Sequence, residues 1–326
     1  MNKILVTGGA GYLGSKLIPE LLRLELKVNV LDLMIYGRNT LPTHKNLQIF
    51  EGDIRNTKII IDALNQVDTV IHLACISNDP SFELNPKLGK SINLDAFEPM
   101  LKIAKNQGIK KFIYASSSSV YGIKKEKNVV EDMSLNPLTD YSKYKAECEK
   151  ILLKHKSKDF ITTVVRSATL CGFAPRQRLD VIVNIFANQG YHKRKLSIYG
   201  GEQLRPNIHI DDIVRFYILL LKVDEKKING EIFNVGSKNH SVIEIANIVK
   251  SELGSDIIIN KIESDDNRSY HISSEKVKKI LGFDTKLTIT DAVRDLRDAF
   301  ENKLLPNSLT DEKYFNIKRM KSINLN

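Results

Sequence analysis

The sequence predicts an α/β fold, a doubly wound parallel sheet followed by a smaller C-terminal lobe. Three observations carry that prediction. Short β-branched runs alternate with longer amphipathic stretches through the first half of the chain. The apolar runs are nearly continuous, as strands buried on both faces must be. A glycine-rich turn joins the first run to the first amphipathic stretch.

The elements follow in order. Predicted strands are Lys3–Thr7, Lys27–Asp32, Leu47–Gly52, Asp68–Ala74, Lys111–Ser116 and Ile161–Ala168. Predicted helices between them are Tyr12–Leu24, Thr57–Gln66, Leu88–Gln107 and Tyr141–His155. This βαβα rhythm requires right-handed crossovers, which put helices on both faces of a parallel sheet. After Cys171 the rhythm breaks. Helices are expected at Asp180–Asn188, Asp211–Lys222, Ser241–Leu253, Ser274–Leu281 and Thr290–Asn302, and strands at Leu196–Tyr199 and Glu231–Val235. Ser241 and Glu244 have capping-box spacing. The tail Leu304–Asn326 has little periodicity and is expected to wrap the surface.

Composition narrows the class. The chain has 326 residues, 42% hydrophobic, 27% charged and 7% aromatic, which excludes disordered and collagen-like chains. No apolar run approaches the roughly 18–20 residues of a membrane span. Met1–Val6 begins like a signal peptide, but Thr7-Gly8-Gly9 ends the run too early. A soluble cytoplasmic protein is expected. The net charge of +10 is scattered, without a basic arm or an aromatic RNA-binding signature. It suits a small anionic substrate better than nucleic acid. Cys75, Cys148 and Cys171 cannot all pair, and their spacing fits no zinc or redox motif. They are read as small buried hydrophobes, and no metal site is expected.

Thr7-Gly8-Gly9-Ala10-Gly11-Tyr12-Leu13-Gly14 lies between the first strand and the first helix. Glycines there let the backbone approach a pyrophosphate, and the helix N-terminus offers amide donors to it. Asp32 ends the second strand, 18 residues after Gly14. A carboxylate at that place accepts both ribose hydroxyls of NAD and repels the extra phosphate of NADP. Arg38 nearby leaves NADP open. Asp53-Ile54, after the third strand, places an acid within reach of an adenine amino group.

Tyr141 and Lys145 are spaced i and i+4, so on a helix they share a face. A nearby ammonium favours phenolate, which fits the phenol for proton transfer. Ser116-Ser117-Ser118-Ser119 follows the fifth strand, at the sheet edge where ligands bind.

These segments resemble the extended short-chain dehydrogenase/reductase family, in particular its nucleotide-sugar epimerases and dehydratases of the UDP-glucose 4-epimerase type. The resemblance runs through Thr7–Gly14, Asp32, Asp53-Ile54, His72-Leu73-Ala74, Asn93, Tyr114–Gly122, Tyr141 with Lys145, Arg166 and Arg205–Asp212. It implies a Rossmann-type NAD domain over 1–170 that also receives about 203–238. The substrate lobe and tail would be 171–202 and 239–326. It implies Tyr141 as acid/base, Lys145 on the nicotinamide ribose and Ser117 beside the substrate hydroxyl. The implied cofactor set is Gly8, Gly11, Tyr12, Leu13, Gly14, Asp32, Asp53, Ile54, Leu73, Ala74, Asn93, Tyr141 and Lys145. Arg205 and Arg268 would meet the nucleotide diphosphate, as Arg binds phosphate bidentately. Ser77, Asn78, Ser118, Thr169 and Arg178 complete the expected nucleotide-sugar contacts. A homodimer through the Tyr141 helix and its neighbour is implied as well.

Two departures bear on the reaction. Sugar 4,6-dehydratases of this family carry an acidic residue just after the Ser/Thr, where this chain has Ser118 and Ser119. The 4-epimerases often carry Asn where this chain has Thr169. The segment Ala174–Asp180 resembles a subgroup containing C4 dehydrogenases of nucleotide-activated sugars. The leading expectation is an epimerase acting through a transient 4-keto sugar. A net C4 dehydrogenase or ketoreductase is the alternative. Dehydration is disfavoured, and Tyr141 with Lys145 argues against a non-catalytic nucleotide-binding protein.

Overall fold

The computed structural model describes residues 3–263, 269 and 271–325. Arg268 lies outside the described residues. The chain runs β1 (Lys3–Thr7), α1 (Tyr12–Arg23), β2 (Lys27–Asp32), β3 (Leu47–Glu51), α2 (Thr57–Ala63), β4 (Thr69–His72), α3 (Asp79–Leu84), α4 (Pro86–Lys90), α5 (Phe97–Asn106), β5 (Lys111–Ser117), α6 (Asp140–Lys154) and β6 (Ile161–Ser167). It continues with β7 (Thr169–Cys171), α7 (Ile182–Lys193), β8 (Lys195–Tyr199), β9 (Leu204–His209), α8 (Ile210–Lys222), β10 (Glu231–Val235), β11 (Asn239–Ser241), α9 (Val242–Leu253), β12 (Ile258–Ile262), α10 (Glu275–Leu281), α11 (Ile289–Glu301) and α12 (Asn316–Ser322).

Seven strands form one sheet in the order β10-β6-β5-β4-β1-β2-β3. Every neighbouring pair is parallel. The strands are apolar along their length because helices cover both faces. Ile4, Val6 and Val30 pack with Leu17 and Ile18 of α1 and Phe216 of α8. Leu5, Val70 and Phe112 pack with Met100 and Leu101 of α5 and Leu152 of α6. Burial of each such side chain stabilises the fold by about 1.5–3 kcal/mol. The strand order reverses between β1 and β4, which opens a crevice at their carboxyl ends.

Residues beyond β6 build two smaller sheets. β9 pairs with β7 in parallel and with β11 antiparallel, and β12 pairs with β8. Helices α7, α9 and α11 close over them around Val183, Phe186, Ile245, Val249 and Val293. Among the described residues, no helix is long and apolar enough to cross a membrane.

The structure corrects three expectations. Leu88–Gln107 is not one helix. It divides into α4, a π-helical turn at Ser91–Asp95, and α5. The cause is Asn93, whose side chain accepts from Ile76 N–H at 2.8 Å and donates to Ile76 C=O at 2.9 Å. A widened turn swings that amide inward. The helix expected at Asp180–Asn188 begins at Ile182 and runs to Lys193. The tail does not merely wrap the surface: it contains α12 and reaches the central crevice. The Ser241–Glu244 capping box forms as its spacing implies.

Candidate active site

A cavity of about 520 Å³ opens at the carboxyl ends of β1, β2, β4, β5 and β6. Its floor is the glycine turn. Gly8 has φ +70°, and a Cβ there would lie 2.7 Å from the Ala74 backbone. A Cβ on Gly14 would lie 2.3 Å from Gly9 O. Side chains are therefore excluded where the turn meets β4 and α1. Gly11 is the N-cap of α1 and makes no side-chain cap. The first residues of the helix, Tyr12, Leu13 and Gly14, thus line the cavity with amides available to a phosphate.

Asp32 stands at the end of β2, where its carboxylate accepts from Ala10 N–H at 3.0 Å and Met34 N–H at 2.8 Å. Burial raises its carboxyl above the usual range, against the pull of those two amides. Arg38 turns away to Glu51, with Nε at 2.8 Å. Asp53 is clasped by Arg55, whose donors reach it at 2.6–3.0 Å. Burial alone would raise the Asp53 carboxyl, but the Arg55 contacts more than offset it and hold it low. Ile54, Leu73 and Ala74 complete this side.

Tyr141 lies in the first turn of α6, which Thr139 caps through a capping box with Ser142. Lys145 follows one turn later. Its Nζ donates to Ala115 C=O at 2.7 Å and lies 5.9 Å from the Tyr141 ring centre. This geometry modifies the expectation of a phenol lowered by Lys145. Without cofactor, burial pushes the Tyr141 phenol well above its usual range, and Cys75 and Asp79 add to that. Arg178 and Ser117 act in the opposite sense. Ser117 sits at the end of β5, where its Oγ lies 2.9 Å from Ser119 Oγ.

Ser77, Asn78, Ser118, Thr169, Arg178 and Arg205 all line the same cavity. Arg178 pairs with Asp180 at 2.6 Å and donates to Ser77 Oγ at 3.3 Å. Asn78 also caps α3, accepting from Ser81 N–H at 3.0 Å. Asn93 stands behind the wall: its amide is spent on Ile76, and it is not a lining residue. Lining residues that sequence reasoning missed include Tyr36, Arg176, Asp180, Asn316 and Met320. Arg176 had a legible signal beside Arg178 in Pro175-Arg176-Gln177-Arg178. Asn316 had none.

The glycine turn, the carboxylate at the end of β2 and the adjoining cavity fit a dinucleotide. The chain belongs to the NAD dependent epimerase/dehydratase family, whose model matches residues 4–236. It is an enzyme of the extended short-chain dehydrogenase/reductase type, and its cofactor is NAD. It is 29% identical over 314 residues to a UDP-glucose 4-epimerase of Lactobacillus helveticus, covering 89% of this chain and 94% of that one. It is 30% identical over 312 residues to an uncharacterized UDP-glucose epimerase of Bacillus subtilis, covering 89% and 95%. A solved UDP-glucuronic acid 4-epimerase from Bacillus cereus, in complex with UDP-glucuronic acid and NAD, superposes with a TM-score of 0.82. It is 27% identical and covers 92% of this chain and 99% of its own.

Proposed function

We propose that the protein is a nucleotide-sugar epimerase that inverts a sugar carbon through a transient 4-keto intermediate. The observation that carries this reading is that Tyr141, Lys145 and Ser117 line one cavity together with the polar side chains Ser77, Thr169 and Arg178. Bound NAD supplies the hydride acceptor and later the hydride donor. Tyr141 takes the proton of the C4 hydroxyl and returns it after the keto sugar has turned its other face. Ser117 holds the reacting oxygen by a hydrogen bond. Lys145 orients the nicotinamide ribose and, with the cofactor in place, offsets the upward shift that burial imposes on Tyr141. Gly8, Gly11 and the amides of Tyr12, Leu13 and Gly14 hold the cofactor pyrophosphate. Asp32 takes the adenosine ribose, and Asp53 the adenine amino group. Arg205 meets the diphosphate of the sugar nucleotide. In this reading 1–170, with about 203–238, holds the cofactor, and 171–202 with 239–326 holds the sugar nucleotide.

Dehydration would need a carboxylic acid beside the substrate. Among the described residues, the carboxylates lining the cavity are Asp32, Asp53, Asp79 and Asp180. Asp79 accepts from Thr139 Oγ1 at 2.6 Å, Asp180 is bound to Arg178, and the other two face the proposed adenosine end. Ser118 and Ser119, next to Ser117, cannot serve as acids.

The test uses UDP-, GDP-, dTDP- and CDP-hexoses carrying deuterium at C4, followed by NMR. An epimer that keeps its deuterium at C4 is expected, because the hydride leaves and returns within one active site. Tyr141→Phe is expected to lower turnover by about 10²–10⁴-fold. A released 4-keto sugar, with deuterium in free NADH, would replace this reading by a net dehydrogenase. Loss of water from the sugar would replace it by a dehydratase.

A further inference from the structure

Asn316 lies in the tail, and only 4% of it is exposed. Its Oδ1 accepts from Tyr36 Oη at 2.8 Å and from the Arg176 guanidinium. Its Nδ2 donates to Ser77 Oγ at 3.0 Å, and its backbone N–H donates to Asp180 Oδ2 at 2.8 Å. One side chain and one amide therefore join the loop after β2, the loop after β4 and the segment before α7. Buried polar groups satisfied this fully hold their neighbours in one arrangement. One turn further on, Arg319 Nε donates to Ile35 C=O at 2.5 Å, and its Nη1 binds Glu312 at 2.7 Å. Met320 and Leu325 line the cavity itself.

The other side of this closure is equally fixed. Arg176 is buried, and its guanidinium stacks 3.6 Å from the Tyr36 ring centre. Its backbone N–H donates to Ser15 Oγ at 3.1 Å, on the helix that follows the glycine turn. Tyr36 is four residues beyond Asp32. The Tyr36–Arg176 stack, held by Asn316, thus borders the part of the cavity where Asp32 and α1 meet.

We propose that Glu312–Leu325 is a strap across the cofactor end of the cavity, and that Asn316 and Arg319 are positioning residues that set how long the dinucleotide stays bound. This rests on the placement of the adenosine half against Asp32 given above. With the strap seated, the loop after β2 cannot part from the segment before α7. A long ligand lying between them leaves only after the Asn316 and Arg319 bonds break. A cofactor retained in this way is regenerated in place instead of exchanging at every turnover.

The test follows cofactor release without any sugar. Full-length wild type, Asn316→Ala and Arg319→Ala are loaded with NADH and mixed with excess NAD. Loss of bound-NADH fluorescence gives the release rate, and melting of the cofactor-free forms checks the fold. Release at least tenfold faster in both variants, with little change in cofactor-free melting temperature, is the expected result. Unchanged release in both overturns the strap. If Asn316→Ala does not fold, Arg319→Ala decides alone, since it cuts only the clasps to Ile35 and Glu312. Asp32→Ala separates the two levels of the argument. NADH binding as tight as wild type in that variant overturns the placement. Weakened binding there, with unchanged release from the tail variants, overturns the strap alone.

Discussion

His72 ends β4 with its Nδ1 2.8 Å from Thr7 Oγ1, one strand from the glycine turn. Burial lowers its pKa to about 3, and the charge on Lys145 adds to that. The folded chain therefore keeps His72 neutral, while the unfolded chain protonates it below about pH 6.5. Its contribution to stability is full above pH 6.5 and is lost as pH falls toward 3. Between pH 6.5 and 5.5 the loss is about 1 kcal/mol. Urea denaturation at the two pH values checks this. His72→Asn, which cannot take the charge, is expected to show a pH dependence smaller by that amount, and an equal dependence would refute the assignment. At this scale the sequence was partly legible. The spacing of Tyr141 and Lys145 announces a shared helix face. It does not announce that Lys145 Nζ binds Ala115 C=O, because that contact depends on how α6 lies against β5. The bond of Asn93 to Ile76, 17 residues away, was illegible for the same reason.

Elements hold the serine loop through a buried charged network. Glu149 sits one turn beyond Lys145 on α6 and receives Arg166 of β6 through three donor contacts at 2.7–3.2 Å. Ser116 donates to the same carboxylate, and Arg166 Nη1 donates to Tyr121 Oη at 2.7 Å. Tyr121 in turn donates to Asn234 of β10 at 2.7 Å. Tyr121 is a packing residue of this network and does not line the cavity. Arg166→Met is expected to destabilise the chain by about 3–5 kcal/mol, because Glu149 is left buried and unpaired. Adding Glu149→Leu should recover much of that loss in chemical denaturation, whereas two independent, additive costs would contradict the network. Most strands of the large sheet were legible to within a residue or two, since continuous apolar runs mark them. In the smaller sheets β7, β9, β11 and β12 were not, and of these β7 and β11 are three residues long and carry no periodicity.

Across the whole molecule, the βαβα rhythm and the glycine turn fixed where the crevice would lie, since ligands meet a parallel sheet where its strand order reverses. The tail was illegible at this scale. Asn316 contacts residues 36, 77, 176 and 180, and nothing local in Asn316–Ser322 signals partners so distant in the chain. The retained cofactor and the catalytic reading converge on one consequence. An epimerase returns its hydride and ends each cycle with NAD regenerated, so it needs no external oxidant. The most direct measurement is turnover of a sugar nucleotide by the purified protein with no cofactor added, following products by NMR and mass spectrometry and the absorbance at 340 nm. The account predicts many turnovers per enzyme to an isomer of unchanged mass, with no net absorbance change. At most one turnover per enzyme, with a product lighter or heavier by two hydrogens and continued reaction only on adding NAD or NADH, would contradict it.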